Sequence, residues 1–177
     1  MEVWDLVDER RKPIGKLHTR GKAQQSGEYH VVVEILTVNA DGRILLTQRD
    51  AAKTYPLLWE TTGGSVTAGE SSLKGAVREL EEETGLVAGE EELQLLGEMK
   101  YGNYFLDSYL WKRKAAIQPE DLILQRGEVC GAKLVTMAEF EEMVQQGLVV
   151  SRIWDRFQVN RHQIMPYLRQ QNSEGVI

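Results

Sequence analysis

Apolar and polar positions alternate from residue 2 to 20 on both sides of a Lys12-Pro13 break, as in EVWDLVDE and IGKLH. That period of two predicts a small β-hairpin ahead of the main domain. A polar stretch, residues 21–28, reads as a loop. His30 to Asn39 is rich in valine and isoleucine, Asp41-Gly42 is a turn signal, and Arg43 to Arg49 continues with ILLTQR. Two antiparallel strands are expected there. Asp50 to Leu58, with Pro56, reads as a loop leading to Trp59, and Thr61 to Gly69 as a second loop holding three glycines.

The spacing then changes to that of a helix. Leu73, Ala76, Val77 and Leu80 form an apolar stripe, Ser71 or Ser72 can cap its start, and Gly85 can end it after Thr84. Leu93–Gly97, Lys100–Phe105, Asp107–Lys112 and Glu128–Thr136 are further strand candidates. Met137–Gln146 is an amphipathic second helix stopped by Gly147. Ser151 to about Arg169 is a third, broken or ended near Pro166, and the last six residues read as frayed. Strands, helix, strands, helices in that order indicate a mixed α/β or α+β sandwich. The expected division is a hairpin extension over 1–27 and one domain over 28–170.

Composition narrows the function classes. The 177 residues are 42% apolar and 27% charged, with a formal net charge of −6. No apolar run approaches the roughly 18 residues that a membrane span needs. Trp4, Asp5, Asp8 and Glu9 break any signal-peptide core, so a cytoplasmic protein away from membranes is expected. The single cysteine, Cys130, excludes an internal disulfide and a multi-cysteine zinc site; flanked by valine and glycine, it reads as a small buried residue. Mild negative charge speaks against stable nucleic-acid binding. It permits an anionic small-molecule substrate if cations sit between the two.

Chemistry concentrates in GSVTAGESSLKGAVRELEEETGL, residues 64–86. Glu79, Glu82 and Glu83 fall at i, i+3 and i+4, on one helix face about 120° from the apolar stripe. Three such carboxylates in a cleft repel one another, and a divalent cation removes that cost. Hard oxygens suit Mg²⁺. Arg78 lies four residues before Glu82 and can fix its rotamer. Gly63, Gly64 and Gly69 are expected to allow positive φ and a close backbone approach to metal or phosphate. Taken singly, each glutamate reads as an ordinary solvated residue.

The whole pattern is more specific. Gly64, Glu70, Arg78-Glu79-Leu80, Glu82-Glu83 and Gly85-Leu86 stand at every position of the Nudix box, and the chain is identified as resembling the Nudix hydrolase superfamily. That resemblance implies a loop–helix–loop site on an α/β/α sandwich, and hydrolysis of a diphosphate linkage in nucleoside diphosphate derivatives. It implies Mg²⁺ or Mn²⁺ held by Glu79, Glu82 and Glu83 with the carbonyl of Gly63. Glu70 would orient the site, and Arg78 would be an internal brace. Glu128 is placed like a late loop glutamate that many members use as metal ligand or base. Outside the box, Arg49 and Lys53 are candidate phosphate partners. Tyr101, Tyr104 and Phe105 are candidate pocket residues, and Trp59 is expected to pack beneath the box.

Residues 2–90 also look like the Nudix branch close to type I isopentenyl-diphosphate isomerase. That enzyme needs a cysteine after the tryptophan and a later Glu-x-Glu strand. Here Thr61, Thr62, Gly63 and Gly64 fill the loop, and Asp107 is the one carboxylate in the later strand. His18 and His30 fall near the isomerase's metal histidines. The intact box favours a hydrolase over an isomerase-like activity or a non-catalytic Nudix-fold binding module. A homodimer using the N-terminal hairpin is compatible with the sequence.

Overall fold

The computed structural model describes residues 2–168. The predicted hairpin is present: β1 (Val3–Val7) and β2 (Pro13–Thr19) pair antiparallel, with a register shift between Asp5 and Val7. The next two strands are β3 (His30–Val38) and β4 (Ile44–Arg49). They pair only at Val38–Ile44 and then diverge. Two short strands occupy the edges that this split leaves, β5 (Trp59–Glu60) on β4 and β6 (Thr62–Ser65) on β3. The glycine-rich loop expected over 61–69 is therefore strand through Ser65. Its glycines lack the side chains that normally signal a strand.

The remaining strands are β7 (Leu93–Tyr101), β8 (Tyr104–Lys112) and β9 (Val129–Val135). Where three strand fragments were expected over 93–112, there are two nine-residue strands turning at Gly102-Asn103. β8 runs parallel to β3 along its whole length, and β9 pairs antiparallel with β4. The sheet is mixed, seven-stranded, ordered β5-β4-β3-β8-β7, with β6 added on β3 and β9 on β4.

Strand alternation divides the core into two layers. Val33, Ile35, Leu45, Tyr109 and Trp111 face α1 (Ser72–Thr84), whose Ala76 and Leu80 are fully buried. Leu36, Val38, Ile44, Leu46 and Leu110 face Phe140 and Met143 of α2 (Met137–Gln145), and Ile153, Phe157 and Ile164 of α3 (Ser151–Ile164). The result is the α/β/α sandwich expected. α3 stops at Ile164, before Pro166, and a 3₁₀ turn follows over Met165–Tyr167. The expected extension to Arg169, the end of the domain at 170 and the frayed last six residues lie outside the described residues. No described helix is long and apolar enough to cross a membrane.

The hairpin is docked on the sandwich. Arg11, left-handed at φ 65°, pairs with buried Asp107, which also accepts from Ser72 Oγ. Val3 O accepts from Ala68 N at 2.9 Å and Asp5 Oδ2 from Gly69 N at 2.7 Å, so β1 holds the loop that leads into α1.

Candidate active site

The start and end of α1 are fixed by local chemistry. Ser71 Oγ accepts from Lys74 N at 3.2 Å, and Gly85 closes the helix in the left-handed region at φ 72°. Between these caps Arg78 gathers the acidic residues. Its Nε and Nη2 each donate to Glu70 at 3.0 Å, and Nη2 also donates to the carbonyl of Ser65 at 2.9 Å. Nη1 donates to Glu79 at 2.8 Å and to Glu82 at 2.9 Å. Burial works against the Arg78 charge, but its hydrogen bonds to Glu70 and Glu79 prevail and raise its pKa above that of a free arginine. Glu70 also accepts from Thr67 N and Oγ1. Burial alone would push its carboxyl up; the bonds from Arg78 and Thr67 hold it below the usual carboxylate range.

Glu83 is the most buried of the set, 3% exposed, and accepts one bond, from Gly63 N at 3.2 Å. Burial, with the charge of Glu60 next, pushes its carboxyl up to about 8. Burial also raises Glu79, against the pull of Arg78. Among the described residues no cation hydrogen-bonds this buried carboxylate, although the Lys53 charge favours it from the same cleft, and its acidic neighbours offer hard oxygen. Glu79, Glu82, Glu83, Glu128, Lys53 and Gly63 line one cleft of about 120 Å³. The carboxylates of Glu79, Glu82, Glu83 and Glu128 fit Mg²⁺ or Mn²⁺ by donor type. Among the described residues no three acidic, histidine or cysteine side chains already converge as a metal cage, since Arg78 holds Glu79 and Glu82 instead.

The glycines work differently from expectation. Gly69 has φ 79°, but Gly63 and Gly64 lie in β6 without positive φ. What they allow is close approach. A Cβ on Gly63 would fall 2.2 Å from Val33 O, and one on Gly64 would fall 2.4 Å from the Glu79 carboxylate.

Other candidates divide. Lys53 and Glu128 form an ion pair in the cleft wall. Arg49 is held by Glu60, with both carboxylate oxygens at 2.7 Å, and by Thr54. Tyr104 and Arg49 line two further cavities beyond Gly63, and Tyr101 stacks on Tyr104 at 5.3 Å. Phe105 is buried instead, against Tyr29. Trp59 packs at the edge of the core under α2 and α3, on the sheet face away from α1, because its strand pairs with β4 and not with β3. Cys130 is exposed rather than buried: β9 is irregular where Arg49 pairs with Val129 and Gln48 with Gly131, leaving Cys130 as the unpaired residue. His18 and His30 both pack against the hairpin's Trp4, at 5.4 and 4.9 Å, and neither lines the carboxylate cleft. Asp107 is occupied by Arg11 and Ser72.

Sequence reasoning missed Glu2 and Arg20, a pair at the open end of the hairpin that also lines the cleft. It missed Glu60, Glu34 and Arg156. The ion pair between Glu34 and Arg156, at 2.7 Å, joins β3 to α3. A charged residue inside a valine-rich strand was the available signal for Glu34.

The sequence matches the NUDIX domain over residues 28–152. A Nudix hydrolase of Listeria monocytogenes is 34% identical over 152 residues, 83% of this chain and 87% of that one. An isopentenyl-diphosphate Δ-isomerase of Nocardia farcinica is 38% identical over 87 residues, 48% of this chain and 50% of that one. In fold, the chain is similar to DR0079 of Deinococcus radiodurans, with a TM-score of 0.70, 20% identity, and coverage of 91% of this chain and 98% of that one. It is also similar to a bifunctional NMN adenylyltransferase/ADP ribose pyrophosphatase of Francisella tularensis solved with AMP and a manganese ion. That TM-score is 0.62, with 18% identity and coverage of 77% of this chain and 42% of that one. With its box intact, its fold matched and its domain spanning most of the sequence, the chain belongs to the Nudix hydrolase family, enzymes that act on phosphorus-containing acid anhydrides.

Proposed function

We propose that the protein is a Mg²⁺- or Mn²⁺-dependent pyrophosphohydrolase, in which water attacks phosphorus in the diphosphate linkage of a nucleoside diphosphate derivative or related metabolite. The observation that carries this reading is Glu83, buried without a cationic hydrogen-bond partner in a cleft it shares with Glu79, Glu82 and Glu128. In this reading Glu79, Glu82 and Glu83 hold the cation, joined by the Gly63 carbonyl. When bound, the cation supplies a water of lowered pKa and neutralises charge on the leaving phosphate. Arg78 and Glu70 keep the helix carboxylates aimed. Glu79 or Glu128 takes the proton of the attacking water, and Lys53 exchanges Glu128 for a substrate phosphate.

The partner proposed is a small phosphorylated molecule in the cytoplasm, not nucleic acid or membrane. The partial similarity to the Nocardia isomerase favours a second reading, proton transfer on an isopentenyl diphosphate. His18 and His30 beside Trp4, and Asp107 bound by Arg11, weigh against it. A screen of phosphorylated metabolites with Mg²⁺ in ¹⁸O-labelled heavy water tests both. Hydrolysis places ¹⁸O in a phosphate product. Solvent deuterium entering isopentenyl diphosphate without phosphate release would replace this reading with the isomerase.

A further inference from the structure

Two cavities continue past Gly63, away from the carboxylate cleft. The inner one, about 170 Å³, is lined by Gly63, Glu34, Glu60, Arg49, Tyr104 and Arg156. The outer one, about 220 Å³, shares Arg49, Tyr104 and Arg156 with it and adds Tyr55, Ser151 and Arg152 at the start of α3. Each alone is below the roughly 300 Å³ at which small-molecule sites begin, so a ligand of ordinary size would occupy both.

Three arginines face this space, and they differ in charge balance. Arg49 is neutralised by Glu60 and Arg156 by Glu34. Arg152 is not neutralised. It donates to Tyr104 Oη at 2.9 Å and lies over the ring of Tyr101 at 5.5 Å, and among the described residues no carboxylate pairs with it. A phenol and an aromatic face fix the guanidinium in place without cancelling its charge. One of its five N–H groups is used, and the rest form the planar fork that suits phosphate. Beside it, no side chain caps the first turn of α3. Arg152 is exposed at the mouth of the outer cavity, and an oriented cation with neutral protein partners selects an anion there more than a nucleobase, which Tyr55 and Tyr104 alone would serve.

We propose that the outer cavity is a second anion site, where Arg152 takes a phosphate group on the substrate arm beyond the scissile diphosphate. This deepens the hydrolase reading and rests on it for the identity of the ligand. It assigns the substrate class as diphosphate compounds that carry a separate phosphomonoester. Arg152 is a specificity residue in this account and touches no reacting atom.

Two measurements test it, and they fail independently. The first uses metal-free protein titrated with inorganic phosphate at constant ionic strength and observed by ¹⁵N NMR. Saturable shifts are expected at the amides of Ser151–Ile153 and at Arg152 Nε, lost in Arg152→Ala and weakened in Arg152→Lys. Absence of saturation, or an unchanged response in Arg152→Ala, overturns the site; an equal response to sulfate marks an adventitious ion only and also overturns it. The second compares hydrolysis of pairs that differ by one phosphomonoester, NADPH against NADH among them. Arg152→Ala should raise KM about tenfold more for the phosphorylated member than for the other member. Equal effects on both members refute the substrate class. If the wild type hydrolyses no diphosphate at all, the hydrolase reading fails, while the phosphate titration still decides whether Arg152 binds an anion.

Discussion

The α-carbon of Gly64 lies against the carboxylate of Glu79, so close that a methyl group there would stand 2.4 Å from the carboxyl atoms. The obstructed group is the end of a flexible side chain and can swing away. Gly64→Ala is therefore expected to fold with a stability change within about 0.5 kcal/mol. It should lower kcat by about a hundredfold, because Glu79 leaves its place. Gly63→Ala is the contrast. Its methyl would strike the backbone oxygen of Val33, which cannot move freely, so a loss of about 1–3 kcal/mol is expected in urea denaturation. Equal behaviour of the two variants would contradict this division.

Arg78 holds three glutamates and one carbonyl with a single guanidinium. Arg78→Ala should weaken Mg²⁺ binding by about 10- to 100-fold in calorimetry, the usual effect of removing a group that orients metal ligands. Arg78→Lys should not restore it, since an ammonium lacks the planar fork. Full affinity in the lysine variant would mean that the charge alone matters.

Arg11 and Asp107 join the hairpin turn to the first residue of α1 through Ser72. Asp107 is 2% exposed, so Arg11→Ala leaves a buried carboxylate without its cation and should cost about 3 kcal/mol in chemical denaturation. Asp107→Asn, which keeps a hydrogen-bonding group for Ser72, should cost less. A loss below about 0.5 kcal/mol in Arg11→Ala would show the tether to be incidental.

His30, stacked on Trp4, sets an acid limit. Burial first, then the nearby His18, lowers its pKa from 6.5 to about 4. Between those values the unfolded chain holds the proton and the folded chain does not, so stability falls as pH drops from 6.5 toward 4. Glu83, raised to about 8, contributes the opposite slope above pH 4.5, so the His30 contribution is read as the difference between wild type and variant. His30→Phe, which keeps a ring on Trp4 and removes the titration, should lose less stability than the wild type as pH falls from 6.5 to 4; identical pH profiles of the urea midpoint would assign the acid sensitivity elsewhere.

Local signals made much of the fold legible. Ser71 or Ser72, the stripe through Leu80 and Gly85 bound α1 within one residue at its start and at Thr84 at its end, because each acts within one turn of its own position. Alternation found β1 and β2, and valine and isoleucine content around the Asp41-Gly42 turn found β3 and β4, for the same reason. The split between β3 and β4 was not legible, because it depends on which strand fills each vacated edge, a long-range choice. That split creates the cavities lined by Glu60 and Arg156, so those residues were missed with it. The box glutamates were found through their spacing on one helix, whereas Arg152 reaches the site only through the parallel pairing of β3 with β8 and the docking of α3.

The most direct measurement is diphosphate hydrolysis against Mg²⁺ concentration for the wild type and the Glu82→Gln, Glu83→Gln double variant. Wild-type activity should rise saturably with Mg²⁺, vanish with chelator, and fall to background in the double variant at any Mg²⁺ level. Full activity without the cation, or in the double variant, would contradict the assignment of these carboxylates.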